Sequence, residues 1–298
     1  MSLAKTGMHK SLTLISILLY AALTAVAQSP TGDVPPSGSM AVSPARFELE
    51  MKPGTEQTVV VNLDYRAGTG STAPVRIMAS LNDWTITKDG RVEYSRANSL
   101  PNSASPWLIY TPGEAAVVPG TIHQIRVTIA VPLNATPGDH LTSLIIEQRP
   151  ESYKNEGNLK QVVVRYRMAS VFYIKVPGLT KKGNFENLLA ESTPGGFTVT
   201  PVLKNEGNSV IRPTSSLTVI DADGKTVTEM TGLEPLPVLG GSETAQPLVV
   251  EKQFPPGTYS VKYRVDFQDG RPATEGVTDL IVKTAPQIAT GNPPAKKP

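Results

Sequence analysis

The chain has 298 residues, with 28 Lys or Arg against 26 Asp or Glu, and it contains no cysteine. The lack of cysteine excludes disulfide bonds, thiol catalysis and cysteine-ligated metals, so the fold must depend on apolar burial. The nearly balanced charge gives no electrostatic argument for nucleic-acid binding.

The N-terminal segment has the pattern of a secretory signal peptide. Lys5 and Lys10 precede an apolar run over residues 12–25, and residues 25–27 form the small-x-small cleavage site Ala-Val-Ala. We expect cleavage after Ala27 and an exported mature chain. The two lysines would leave with the peptide, so the 26 acidic residues would face an equal number of basic ones. No later stretch approaches the roughly 20 apolar residues of a membrane helix, so we predict no span in the mature chain.

Frequent Val, Thr and Ile, regular Gly and Pro, and the absence of a helical period predict an all-β protein. The spacing of strands and turns is typical of two tandem immunoglobulin-like β-sandwich domains. The predicted organisation is a signal peptide (1–27), a disordered linker (28–39), a first sandwich (40–177), a second sandwich (178–284) and a disordered Pro/Lys tail (285–298).

The first sandwich should contain eight or nine short strands. The first is broken by Pro44, which places it at a sheet edge or a bulge. Asp89-Gly90 is the strongest hairpin signal in the chain. In chain order the predicted strands cover residues 41–51, 57–65, 75–81, 84–88, 91–94, 107–110, 122–131 and 141–148.

Residues 161–176 are predicted to form one long strand, because apolar residues alternate along them with a period of two. Only Ser170 interrupts this apolar row. A strand that extends past its neighbours could accept a strand from another chain. It could equally be a long strand of the protein's own sheet. The apolar row consists of Val162, Val164, Tyr166, Met168, Phe172, Ile174 and Val176.

The second sandwich should contain about seven strands, with named candidates at 197–204, 217–220, 226–229, 248–254, 259–267 and 277–282. Tyr259 stands where such sandwiches often have a corner tyrosine, although simple core packing explains it equally well. Residues 221–224 (Asp-Ala-Asp-Gly) begin like a calcium loop but lack the later glutamate, so we predict a hairpin turn.

No residue set supports an enzyme. After cleavage the histidines are His123 and His140, and neither has a partner ligand nearby in the sequence. No nucleophile elbow, phosphate-binding glycine loop or zinc motif is present. We therefore predict no catalytic residue, no metal and no cofactor.

Three segments of the first sandwich carry a resemblance to a known family. They are Ser-Pro-Ala-Arg-Phe at 43–47, Ser-Pro-Trp-Leu at 105–108 before Pro119-Gly120, and the run 127–132. Followed by a long strand and a second sandwich, they resemble the periplasmic pilus-assembly chaperones. The resemblance covers residues 40–177, while over 183–283 only the immunoglobulin-like class is shared.

The resemblance implies that the long strand binds a protein subunit of a surface structure by strand addition in the periplasm. It also implies that an arginine and a lysine hold the subunit's terminal carboxylate. Arg46 matches the arginine. The lysine has no clear counterpart, and Arg165 or Arg167 could replace it, since arginine binds carboxylates well. The implied subunit-binding residues are Arg46, Val162, Val164, Arg165, Tyr166, Arg167 and Met168. The alternative is an exported structural or adhesion module of tandem sandwiches without chaperone activity.

Overall fold

The computed structural model describes residues 38–68, 72–149 and 166–283, and all of them belong to one compact unit that begins at Gly38. The predicted signal peptide and most of the predicted linker lie outside the described residues. So do residues 161–165 of the long strand and the Pro/Lys tail. Among the described residues, no helix is long and apolar enough to cross a membrane.

Over the described residues, the first sandwich has ten strands in two sheets. One sheet has the order β1-β3-β8-β6, and the other has the order β2-β10-β9-β4-β5, with β7 also paired to β4. The strands are β1 (Ser39–Ser43), β2 (Arg46–Glu50), β3 (Glu56–Arg66), β4 (Val75–Ile86), β5 (Val92–Arg96), β6 (Leu108–Thr111), β7 (Glu114–Val117), β8 (Ile122–Ala130), β9 (Gly138–Gln148) and β10 (Arg167–Val176).

The second sandwich contains eight strands, again in two sheets. One sheet has the order β11-β12-β15, with β16 also on β12, and the other has the order β14-β13-β17-β18. The strands are β11 (Gly183–Thr193), β12 (Gly196–Asn205), β13 (Thr214–Ile220), β14 (Thr226–Leu233), β15 (Glu243–Thr244), β16 (Leu248–Val250), β17 (Gly257–Asp266) and β18 (Thr274–Val282).

The predicted fold class, an all-β chain of two immunoglobulin-like sandwiches, is confirmed. Each sandwich closes over its own apolar core, as period-two strands require. Fully buried Phe172 and Ile174 of β10 belong to the first core, and Phe197 and Val261 belong to the second. Strand β11 was not named from the sequence, because its polar residues interrupt the alternation on which the prediction relied.

The prediction of separate strands at 75–81 and 84–88 is wrong. Strand β4 runs without interruption from Val75 to Ile86, although Asn82 and Asp83 are poor strand formers. Asp83 is fully buried and accepts four hydrogen bonds from the segment 99–105. These bonds satisfy the carboxylate that local propensity would place in a turn.

Both predicted hairpin turns are confirmed. Asp89-Gly90 joins β4 to β5, and the amide of Thr87 donates to the carbonyl of Arg91. The Asp221 carboxylate accepts from the amides of Asp223 and Lys225 at 3.0 and 2.9 Å, which closes the β13–β14 turn. Tyr259 combines its two interpretations, since it packs in the second core and its hydroxyl donates to the Pro255 carbonyl at 2.9 Å.

The start of β11 is held by a buried carboxylate. The Asp269 side chain is only 2 % exposed and forms an ion pair with Arg271 at 2.6 Å. It also accepts from the amide of Gly183 at 3.0 Å. The hydrogen bond from Arg271, which outweighs the cost of burial, lowers the pKa of Asp269 to about 2.

This lowered pKa predicts a pH-dependent stability. A carboxylate whose folded pKa lies below its unfolded value stabilises the fold above about pH 4 and loses that effect as the pH falls towards 2. Allowing for solvent around the exposed Arg271, we expect about 1–2 kcal/mol from this group. Denaturant titrations between pH 5 and pH 2 should show a smaller pH-dependent loss in Asp269→Asn than in the unsubstituted protein. Parallel curves would contradict the assignment.

Candidate functional site

The two sandwiches meet over a small apolar cluster on the outer face of the β10 sheet. Trp84 and Tyr173 form an edge-to-face pair with ring centroids 5.2 Å apart. They are buried with Leu141 against Val210 and Leu239 of the second sandwich. Aromatic pairs of this geometry add stabilisation beyond the area they bury, so this cluster fixes one side of the cleft between the sandwiches.

Polar contacts fix the same junction. The Asp139 carboxylate accepts from the Val210 amide at 2.7 Å and from the Ser209 hydroxyl at 3.1 Å. The Asp139 amide donates to the Asn208 carbonyl at 2.8 Å. Farther along, Lys88 of the β4–β5 turn pairs with Glu243 at 2.5 Å. The cleft walls are therefore held by both apolar and polar contacts.

Strand β10 has an edge that its own sheet only partly covers. On one side, β9 pairs with all of Arg167–Val176; on the other, β2 pairs in parallel only from Val171 onward. Before β2 the chain crosses to the other sheet, where β1 pairs with β3. No strand among the described residues pairs with the β2 side of residues 167–170.

Ser170 stabilises the point where the chain changes sheets. Its side chain is fully buried, and its hydroxyl donates to the Pro44 carbonyl at 2.8 Å. The next amide, that of Val171, donates to the Ala45 carbonyl at 2.9 Å. Ser170, which looked like an interruption of the apolar row, therefore marks the end of the open edge. Its role could not be read from the sequence, because it depends on a contact 126 residues away.

Arg46 lies at this same point, opposite Val171 in the register. Phe47 stacks inward on Phe172 with a centroid distance of 4.8 Å, so Arg46 and Glu48 face outward towards the cleft. The Nε of Arg46 is 3.2 Å from Oε1 of Glu48, and the Arg46 side chain is 56 % exposed.

Glu48 connects three cations in the cleft. Besides Arg46, its Oε1 lies 2.8 Å from Nη2 of Arg212 in the second sandwich, and its Oε2 lies 2.7 Å from Nζ of Lys175 on β10. Burial alone would raise the pKa of Glu48. The hydrogen bond from Lys175 and the charges of Arg212, Lys175 and Arg46 outweigh that effect and lower it. Glu48 is thus an ionised carboxylate among three positive charges.

Arg212 and Lys175 were not singled out from the sequence. Arg212 is held over the Tyr173 ring, with its Cζ 5.4 Å from the ring centroid, in a cation–π contact. That placement depends on how the two sandwiches pack, which no local pattern reveals. Lys175 lies on β10, and no motif in the sequence marks it as a residue of the cleft.

The other residues proposed from the sequence lie elsewhere. Arg167 is 55 % exposed and lies 3.5 Å from Glu147, four positions before the residue opposite Arg46, which is about 13 Å along a strand. Tyr166 and Met168 pack on the margin of the first core. Val162, Val164 and Arg165 lie outside the described residues.

The histidines are not brought to this cleft cluster. The His140 ring lies against Trp107 with centroids 4.3 Å apart and a tilt of 43°, and its Nε2 is 2.9 Å from the Thr136 carbonyl oxygen. Within residues 38–68, 72–149 and 166–283, no group of His, Asp or Glu side chains is placed to hold a metal ion.

The fold and the site define a protein of two immunoglobulin-like sandwiches with a partly open strand edge and a cationic cleft beside it. The solved structures to which the chain is similar include three that contain fimbrial chaperones. The chaperone–tip adhesin complex of CFA/I fimbriae biogenesis has 9 % identity and a TM-score of 0.45, covering 80 % of this chain and 98 % of that one.

The second is the CsuC–CsuE chaperone–tip adhesion subunit complex of Acinetobacter baumannii, with 13 % identity and a TM-score of 0.42, covering 81 % of this chain and 98 % of the other. The third is the SafB chaperone with the SafA pilin of Salmonella enterica, with 14 % identity and a TM-score of 0.39, covering 80 % and 96 % respectively. No family model matches the chain, and no curated protein matches its sequence.

Proposed function

We propose that the chain is an exported, periplasmic chaperone-like protein that binds a protein subunit of a pilus-type surface structure by β-strand addition. The observation that carries this proposal is the open edge of β10, which ends at an outward-facing arginine. The motifs of the first sandwich that resemble pilus-assembly chaperones point the same way. The proposed contacts are the seven residues that the resemblance implies, with Arg46 at the end of the edge.

The unpaired backbone groups can be identified from the register. The Val171 amide donates towards β2, and successive residues of a strand direct their backbone groups to alternate edges. The amides of Ala169 and Arg167 therefore face the open edge, where an added strand would accept from them. Exposed edges of this kind are templates for pairing with another chain.

The position of Arg46 selects the direction of the added strand. Strand β2 runs parallel to β10, and Arg46 is its first residue. A client strand running parallel to β10 along residues 167–169 would bring its C-terminal carboxylate to Arg46. An antiparallel strand would bring its cationic amino terminus there and would be repelled. Charge therefore favours a parallel strand with a free C-terminus.

The test uses a fluorescent strand peptide, in which valine alternates with threonine behind a soluble Gly-Ser leader and which ends in a free carboxylate. Ala169→Pro removes one donor from the open edge and leaves the β9 side intact. Losing one such hydrogen bond, worth about 1 kcal/mol, should weaken binding about fivefold. Fluorescence anisotropy measures the affinity, and the melting temperature should change little.

Ala169→Ser is the matched control, because it changes the side chain but keeps the amide, and it should bind like the unsubstituted protein. Equal affinity of the Ala169→Pro variant would contradict strand addition at this edge. Dimers that form through β10, detected by light scattering, would instead favour the structural or adhesion alternative.

A further inference from the structure

The second sandwich meets the first mainly through one short stretch of chain, residues 208–212, here called the junction segment. Four of its five residues contact the first sandwich, while Ile211 belongs to the second core. Arg212, at the end of the segment, pairs with Glu48 across the cleft at 2.8 Å. The position of the junction segment therefore largely decides where the second sandwich lies.

The junction segment is held firmly within its own sandwich. Ile211 is fully buried, and its backbone exchanges hydrogen bonds of 3.0 and 2.9 Å with that of Val238. The side-chain amide of Asn205 donates to the carbonyls of Ser209 and Val238 at 2.7 and 3.0 Å. Because these bonds join the segment to the body of the second sandwich, we expect the two to move as one unit.

Asn208, the first residue of the junction segment, connects three parts of the chain through its side chain. Its Oδ1 accepts from the amide and the hydroxyl of Thr180, in the linker between β10 and β11, at 2.6 and 3.1 Å. Its Nδ2 donates to the carbonyl of Gly178 in the same linker at 3.1 Å and to that of Pro137 in the first sandwich at 3.2 Å. A side-chain amide has two donors and an oxygen with two lone pairs, so all of its bonding capacity is used.

The backbone of Asn208 is also enclosed from both sides. The Asp139 amide of the first sandwich donates to the Asn208 carbonyl at 2.8 Å. A Cβ atom at Gly138 would lie 3.0 Å from that carbonyl oxygen, and one at Gly240 of the second sandwich would lie 2.7 Å from the carbonyl carbon. Glycine at both positions permits this close approach of backbones.

We propose that Asn208 is a positioning residue that fixes the angle between the two sandwiches and, through it, the width of the cleft. The apolar cluster around Trp84 is held by the hydrophobic effect, which has no direction and tolerates small rotations. Hydrogen bonds weaken steeply when they are misaligned. The four side-chain bonds of Asn208 cannot all be kept if the second sandwich rotates about the linker. Such a rotation would also move Arg212 relative to Glu48.

The experiment measures the angle without any ligand. Residual dipolar couplings of the backbone amides, recorded on the weakly aligned full chain, give an alignment tensor for each sandwich. The unsubstituted protein should show one tensor shared by both sandwiches. In Asn208→Ala the four side-chain bonds are lost, so the two tensors should differ in magnitude or in orientation. Core amides such as those of Phe172 and Phe197 should keep their chemical shifts, which separates a change of angle from a loss of folding.

Asn208→Asp is the second variant, because it keeps the acceptor for Thr180 and loses both donors to the Pro137 and Gly178 carbonyls. It should separate the tensors as Asn208→Ala does. If it kept the shared tensor while Asn208→Ala did not, Asn208 would only shape the linker at Thr180, and the inference would be overturned. If Asn208→Ala failed to fold, Asn208→Asp would decide in the same way.

Asn184→Ala is the matched control, because Asn184 is an exposed asparagine on β11 that donates to Glu186 within its own sandwich, and it should keep the shared tensor. An unchanged tensor in Asn208→Ala would overturn the inference, since other contacts, such as those of Lys88 with residues 243–245, would then suffice to hold the angle. Two separate tensors in the unsubstituted protein would also overturn it. None of these outcomes depends on a client, so strand addition at β10 is decided by its own test.

Discussion

Replacing Asp83 by alanine should lower the free energy of unfolding by about 3–4 kcal/mol, the largest stability effect that we expect from a single polar side chain here. The carboxylate is fully buried. Its Oδ2 accepts from the amides of Ser99 and Leu100 at 2.8 and 2.9 Å. Its Oδ1 accepts from the hydroxyls of Ser103 and Ser105, each at 2.6 Å. Alanine would remove the acceptor for all four donors.

The pKa of Asp83 supports this strong effect. Burial raises it, but the hydrogen bonds from Ser103, Ser105 and the two amides outweigh burial and hold it below its usual value. Such a group stabilises the fold above about pH 4 and loses the effect as the pH falls through its lowered pKa. The stability difference between the unsubstituted protein and Asp83→Asn should therefore shrink in acid.

Urea unfolding at neutral pH provides the measurement. Asp64→Ala is the control, because Asp64 is an exposed carboxylate on β3 that pairs only with Arg66 at 3.1 Å, and it should cost less than about 1 kcal/mol. If Asp83→Ala were no more destabilising than this control, the four hydrogen bonds would not be what holds the segment 99–105 to β4.

The same residue explains where the sequence misled the fold prediction. Alternation in β3, β8 and β17 identified those strands, because each buries one face and largely solvates the other. At Asn82-Asp83 local propensity predicted a break between two strands. The strand continues there because donors from the segment 99–105 satisfy the Asp83 carboxylate. Strand β11 was missed for a related reason, because polar residues such as Asn184 and Asn187 interrupt its apolar pattern.

The candidate site shows a similar limit. Tyr166 and Met168 could be proposed from the alternation of the long strand, and Arg46 and Arg167 from the resemblance of the first sandwich to pilus-assembly chaperones. Arg212 could not, because its partner Glu48 lies 164 positions earlier in the chain and on the other sandwich. The cleft is formed where two domains pack together, so the sequences around Glu48 and Arg212 contain no local pattern that predicts it.

Arg46→Ala should weaken binding of the free-acid peptide at least about tenfold, or about 1.4 kcal/mol, while leaving the melting temperature nearly unchanged. The stability effect is small because Arg46 is 56 % exposed and pairs only with Glu48, and surface pairs contribute at most about 1 kcal/mol. Glu48 would keep Lys175 and Arg212 as partners, so no buried charge is left alone.

The binding effect is larger because the ligand's carboxylate would meet Arg46 in partly desolvated surroundings. Losing one partner of such a pair costs about 2–5 kcal/mol. Arg66→Ala, which removes a more exposed arginine on β3 that pairs with Asp64, should leave affinity unchanged. If Arg46→Ala bound the peptide as tightly as the unsubstituted protein, Arg46 would not be a ligand of the terminal carboxylate. A large fall in the melting temperature of the Arg46→Ala variant would make Arg46 a structural residue of the cleft. The melting temperature is measured without ligand, so it reports only what Arg46 contributes to the fold.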